Sequence, residues 1–222
     1  MPSWAAWADA SIPANTLGTY SAQITVPSAP IRNDNEYKKI AIFTSISQSD
    51  WLEGIFQGVI GHRWRDDTSQ PDPGLVYTLS FWDLASPHDY LHTPQITGIN
   101  PGDKIASTIW WQDGTWQGEI HKLNDPTISR SLSAKKFAAT DVCIDAVLEG
   151  DFCVNEETLP GNVHIDQIAV TDRGGKAVTP AFSGWVNRRE TGPIKCWNTK
   201  DYPNLDVMIR NANEITIITG RV

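Results

Sequence analysis

Short runs of β-branched and aromatic residues, separated by clusters of Pro, Gly, Asn and Asp, fill this chain from end to end. None of them repeats at the 3.6-residue spacing of an amphipathic helix; many alternate with the period of two that marks a strand. The pattern predicts strands at Thr19–Val26, Lys39–Ser47, Leu52–His62, Leu75–Asp83, Gln95–Ile99, Lys104–Gln112, Thr115–Leu123, Thr127–Leu132, Asp141–Glu149, Val163–Thr171, Leu205–Ile209 and Glu214–Thr219. Strands this evenly spaced point to an all-β fold, an antiparallel sandwich or barrel. No break in composition divides the chain, so residues 1–222 read as one domain. Residues 172–202 carry Gly174, Gly175, Pro180, Gly192 and Pro193 and read as a long irregular loop, the kind of segment that can serve as a lid.

Alternation also sorts side chains by face. Asp113-Gly114 is a two-residue hairpin signal, which sets Trp111 opposite Trp116, Trp110 opposite Gln117, Thr108 opposite Glu119 and Ala106 opposite His121. Ile105, Ile109, Trp111, Trp116 and Ile120 then share the core face. Trp110, Gln117, Glu119 and His121 share the other, whose plainest reading is an ordinary solvated sheet face. In the run from Leu52, Phe56 and Ile60 point inward while Glu53, Ile55, Gln57 and Val59 point outward. In Asp141–Glu149, Val142, Ile144, Ala146 and Leu148 are apolar, opposite Cys143, Asp145, Val147 and Glu149. Trp82 points outward from the run ending at Asp83. If these outer faces belong to one curved sheet, they form a groove carrying Glu53, Gln57, Trp82, Trp110, Asp145 and Glu149.

Composition sharpens this picture. Ten Trp in 222 residues exceed what a core needs, and indoles are favoured where an apolar wall must also offer an N–H. Trp185 and Trp197, in the long loop, either cover the groove or anchor the loop. The 18 Lys and Arg against 26 Asp and Glu leave a net charge of −8, with no basic stripe for nucleic acid. No apolar run approaches the roughly 20 residues of a membrane helix. Cys143, Cys153 and Cys196 leave at least one thiol unpaired, with a Cys143–Cys153 bridge open, and no zinc or calcium spacing is present, so neither metal nor cofactor is expected. The first residues show no leader, which suggests a cytoplasmic protein, or a secreted one if a leader has been removed.

Several of these runs resemble the fungal glutamic peptidases, the eqolisins. Gly54-Ile55-Phe56-Gln57-Gly58-Val59 is similar to the strand that bears their catalytic glutamine. Ile99-Asn100-Pro101-Gly102-Asp103-Lys104-Ile105 resembles their Gly-Asp turn, and Ile24-Thr25-Val26-Pro27-Ser28 their first strand. Ile144-Asp145-Ala146-Val147-Leu148-Glu149 falls where the family has its catalytic glutamate. The resemblance implies a concanavalin-like sandwich of two large antiparallel sheets with a concave groove, and Gln57, Asp145 and Glu149 as the catalytic set. The outer faces read from alternation, with the long loop, supply the candidate substrate contacts Glu53, Trp82, Trp110, Glu119, His121, Trp185 and Trp197. The glutamate position holds Asp145, one methylene shorter, and Trp51 stands where the family has a cysteine. The missing leader, the altered dyad and the indole-rich groove resemble small fungal biosynthetic proteins that guide pericyclic steps, such as the hetero-Diels–Alderases of tropolone–sesquiterpene pathways. That likeness implies a cofactor-free enzyme acting on an apolar terpene or polyketide. The other readings are an acid endopeptidase using Gln57 and Asp145, and a lectin-like carbohydrate-binding module. A homodimer through sheet faces is compatible with each.

Overall fold

The computed structural model describes residues 4–13, 15–30, 40–48, 54–62, 77–86, 89–139, 141–150, 159–186 and 204–220. Glu53, Trp197, Trp51, Cys153 and Cys196 fall outside these. The strands are β1 (Trp4–Ser11), β2 (Leu17–Thr25), β3 (Ile40–Gln48), β4 (Ile55–His62), β5 (Tyr77–Ser86), β6 (Asp89–His92), β7 (Ile96–Ile99) and β8 (Lys104–Gln112). They continue as β9 (Thr115–Lys122), β10 (Asp125–Ser133), β11 (Val142–Gly150), β12 (Val163–Asp172), β13 (Ala177–Val178), β14 (Ser183–Val186), β15 (Asp206–Asn211) and β16 (Glu214–Ile218). No helix occurs among the described residues.

Two eight-stranded antiparallel sheets pack face to face. Sheet A runs β14-β1-β11-β3-β4-β5-β6, with β7 also on β5, and sheet B runs β10-β9-β8-β2-β12-β16-β15, with β13 also on β12. Between them lies one core, built from Ile42, Ile60, Leu79 and Leu148 on one side and Ile24, Ile105, Ile120 and Ile165 on the other, all fully buried. Phe81 reaches from β5 into the opposite sheet. A methyl group on Gly118 of β9 would overlap its ring, so the missing side chain there is what lets the ring in. The rim is pinned by Asp83, whose two oxygens accept the backbone N–H groups of Lys135 (2.6 Å), Lys136 (2.8 Å) and Phe137 (2.7 Å).

The hairpin forms as its sequence dictates. Asp113 and Gly114 take φ of 50° and 81°, and the pairs Trp111–Trp116, Trp110–Gln117, Thr108–Glu119 and Ala106–His121 are all present. Trp111 and Trp116 meet edge to face at 5.0 Å, and the Trp116 indole N–H donates to the Ala139 carbonyl at 2.8 Å.

The two sheets differ in one respect that decides where a site can lie. In sheet B, β2, β8 and β9 alternate between buried and half-exposed positions, so their outer face meets water. In sheet A, β3, β4 and β11 are buried on both faces. The outer face of sheet A carries a second apolar cluster of Ala41, Phe43, Val59 and Val147, with Trp7, Ile55 and Trp82 against it.

Residues 172–186 are more ordered than an irregular loop. A turn over 173–176 leads into β13 on β12, and β14 then adds to the free edge of β1. β1 itself is a strand the pattern reading did not identify, because Trp4-Ala5-Ala6-Trp7-Ala8-Asp9-Ala10-Ser11 is dominated by alanine, a weak strand former.

Candidate functional site

The register of sheet A lines up one polar row across its outer face. Ser183 of β14 faces Asp9 of β1, and Asp9 faces Asp145 of β11. Asp145 faces Ser45 of β3, Ser45 faces Gln57 of β4, Gln57 faces Trp82 of β5, and Trp82 faces His92 of β6. Strands lie about 4.8 Å apart, so Asp145 and Gln57 stand roughly 10 Å from each other along this row. The row on one side is largely apolar, with Trp185, Trp7, Val147, Phe43 and Val59 in register. The row on the other side holds Ser11, Cys143, Ser47 and Ile55.

Exposure rises from the centre of the row to its ends. Asp145 and Ser45 are fully buried and Gln57 is 8% exposed, while Asp9, Trp82 and His92 are half-buried and Trp185 is 50% exposed. At the β6 end the rings stack: Trp82 lies 4.4 Å from His92 at 23°, and 5.7 Å from Tyr90. The Trp82 indole N–H is held by Ser80 Oγ at 2.8 Å.

Asp145 is the chemical centre. Ser45 donates its hydroxyl to Oδ2 at 2.9 Å, and Tyr20, reaching across from β2, donates to the Asp145 backbone carbonyl at 3.1 Å. Burial pushes the carboxyl up to about 8, against the lowering effect of the Ser47 and Ser45 hydroxyls and with a further push from Asp9. Ser47 lies close to the carboxyl but makes no well-formed hydrogen bond. Asp145 is therefore a neutral carboxylic acid at neutral pH, and the oxygen without a partner, Oδ1, is the one able to carry the proton. Burial also raises Asp9, although the Trp185 indole N–H donates to its Oδ1 at 2.7 Å. The Cys143 thiol, 3.6 Å from Ser11 Oγ, is free and is pushed up by its own burial, so it is an unreactive thiol.

Three buried polar atoms on neighbouring strands of this face lack a well-formed hydrogen bond, Asp145 Oδ1, Ser47 Oγ and Gln57 Oε1, although the Ser47 hydroxyl stands near enough to the Asp145 carboxyl to lower its pKa. Each such atom costs about 1–3 kcal/mol. Their grouping beside an apolar cluster is what a ligand with a polar group on an apolar body would satisfy.

The expected groove is thus divided. Gln57, Trp82 and Asp145 do share one face of one sheet. Trp185 stands at the edge of that same face, on a paired strand. Glu149 is on this face too, but four residues along β11 from Asp145, roughly 13 Å away. Trp110, Glu119 and His121 belong to β8 and β9 of sheet B, on its solvated outer face, and their placement in a common groove with Gln57 is corrected. There Trp110 donates to its neighbour Gln112 at 3.0 Å, and His121 lies 3.2 Å from Glu119. Alternation along a strand tells which residues share its face; it says nothing about which sheet the strand joins. The pattern identifies Ser45 within a strand but not its place beside Asp145, and it misses Asp9, Trp7 and His92 because β1 and β6 are not read as strands. The signal for Asp9 was present in the Ala-x-Ala-x-Ala alternation of Ala6, Ala8 and Ala10, which turns Trp7, Asp9 and Ser11 outward. A separate polar cavity of about 530 Å³, lined by Asp166, Gln167, Asn211, Ala212, Asn213 and Glu214, lies on sheet B away from this row.

With this geometry in hand, the fold can be compared. No protein-family model matches the chain, and no curated protein sequence does. Among solved structures, Scytalido-glutamic peptidase bound to a peptide-based transition state analog superposes with a TM-score of 0.60 at 16% identity, covering 96% of this chain and 98% of that one. SCP-B, a member of the eqolisin family of peptidases in complex with the tripeptide Ala-Ile-His, gives 0.58 at 16% identity over 96% and 98%. The chain therefore has the glutamic-peptidase-like β-sandwich over nearly its whole length. At this identity the likeness is one of fold.

Proposed function

We propose that this chain is a cofactor-free enzyme that binds a small, apolar terpene- or polyketide-type substrate on the outer face of sheet A. There it promotes a cyclisation or hetero-Diels–Alder cycloaddition. The observation that supports this is the trio of buried atoms lacking a well-formed hydrogen bond, Asp145 Oδ1, Ser47 Oγ and Gln57 Oε1, set against Phe43, Val59, Trp7 and Trp82. An enone or quinone-methide carbonyl accepts a hydrogen bond from the neutral Asp145 carboxyl, and charge building on that oxygen is stabilised most in a dry site. One such donor is worth about 2.7–4 kcal/mol. Holding two reacting parts in a near-attack pose contributes about 7–11 kcal/mol more. Gln57 Oε1 takes a hydroxyl of the same substrate, and the Trp82–His92 stack supplies a flat wall for its ring.

The test is to generate an o-quinone methide in the presence of a cyclic sesquiterpene alkene and to measure cycloadduct formation by chiral chromatography. One enantiomer in excess, formed faster than in buffer and lost in both Asp145→Ala and Gln57→Ala, is the expected result. Racemic product at the background rate counts against the reading.

The fold comparison favours a second reading, an acid endopeptidase in which Gln57 stabilises the oxyanion and Asp145 acts as base on water. A base must be ionised, and burial, which raises the Asp145 pKa to about 8, keeps its carboxyl protonated at acid pH. No hydrolysis of denatured protein at acid pH is therefore expected. Cleavage there that disappears in Asp145→Ala would replace the first reading with this one.

A further inference from the structure

We propose that Asp9 and Asp145 are a coupled pair that holds one proton between them, with Asp9 the positioning residue that keeps Asp145 in its acid form. This rests on the reading of Asp145 as the acid of the site. The two residues lie directly opposite each other on antiparallel β1 and β11 and point to the same outer face, which sets their Cβ atoms about 5 Å apart. Each carboxyl is held by one donor from the far side. Trp185 Nε1 donates to Asp9 Oδ1 at 2.7 Å, and Ser45 Oγ donates to Asp145 Oδ2 at 2.9 Å.

Two ionised carboxylates cannot share so close and so dry a place, so one proton stays. The geometry decides where. Asp145 is fully buried, whereas Asp9 is half-buried and has an indole N–H to stabilise its charge. The charge settles on Asp9 and the proton on Asp145. The raised positions of both groups agree. The described groups that face the pair are Ser11 and Trp7 on β1, Cys143 and, further along, Glu149 on β11, Ser45 and Ser47 on β3, and Trp185 on β14. Gln57 on β4 lies one strand beyond, and the Tyr20 hydroxyl approaches from the core side. None of these is a cation. Asp145 keeps its proton while it donates a hydrogen bond to a substrate oxygen, and the charge on Asp9 opposes ionisation of Asp145 throughout the cycle.

The experiment is a titration of the protein alone, with its aspartates labelled with ¹³C at the side-chain carboxyl and followed by NMR. In the wild type, Asp145 should titrate near pH 8. In Asp9→Asn its midpoint should fall by about one pH unit, and in Asp9→Glu it should return. An Asp145 midpoint that is high and identical in wild type and Asp9→Asn overturns the pair while leaving the site reading intact. An Asp145 that titrates in the ordinary aspartate range in the wild type overturns the site reading itself. Should Asp9→Asn not fold, Trp185→Phe decides, since it changes only a half-exposed edge residue. Loss of the indole donor should raise the Asp9 midpoint and alter its separation from that of Asp145; two unmoved midpoints overturn the pair.

Discussion

A carboxyl that keeps its proton in the folded state, while its unfolded counterpart ionises, weakens the fold as pH rises. Asp145 is raised from 3.8 to about 8, so between those values the unfolded chain binds fewer protons than the folded one. The contribution is fully present below about pH 4 and is lost by about 1.4 kcal/mol per pH unit until the folded pKa is passed. Urea unfolding across this range should show stability falling with pH, and Asp145→Asn should flatten the fall. Equal slopes in the two proteins would count against a buried neutral acid. Gln57 makes a complementary case. Its Oε1 is buried without a partner, so Gln57→Leu removes an unsatisfied atom and should raise the melting temperature, by about 1 kcal/mol of stability, while abolishing activity. A stabilising change that destroys function marks a position kept for its chemistry.

At the level of single elements, β8 and β9 carry their own instructions. Gly114 sits at φ 81°, where an L side chain is strained, so Gly114→Ala should cost about 1–2 kcal/mol in chemical denaturation without altering the row on sheet A. Gly118→Ala should cost about 1–3 kcal/mol through overlap with Phe81, and Phe81→Leu in the same chain should recover part of that loss. This hairpin was legible in the sequence down to its register, because the turn residues fix the pairing locally. The outward direction of Gln57, Trp82 and Asp145 was legible too, from alternation alone. β1 was legible only faintly, since the alternation of Ala6, Ala8 and Ala10 is carried by a weak strand former and its role comes from burial against the core. β14 was hidden for a different reason. Four residues inside a glycine- and proline-rich stretch become a strand only because β1 offers a free edge.

For the molecule as a whole, the sandwich could be read from strand spacing and the glutamic-peptidase likeness from a few short runs, and the superposition over 96% of the chain bears both out. The assignment of strands to sheets could not be read. β11 lies between β1 and β3, more than 90 residues from either, and pairing across such separations leaves no trace in local periodicity. That is why Trp110, Glu119 and His121 were grouped with a site on the other sheet. The contrast between the sheets carries the functional account. Sheet B shows water one polar face, as a sandwich should. Sheet A is covered on both faces and keeps an acid, an amide and a hydroxyl unsatisfied among apolar side chains.

The central claim is that Asp145 is a neutral acid in the folded protein, and the infrared difference spectrum between wild type and Asp145→Asn at neutral pH tests it most directly. A carboxylic-acid carbonyl band present in the wild type, absent from the variant and converted to carboxylate only as the pH passes about 8, is the expected result. A spectrum showing only carboxylate at neutral pH would contradict it.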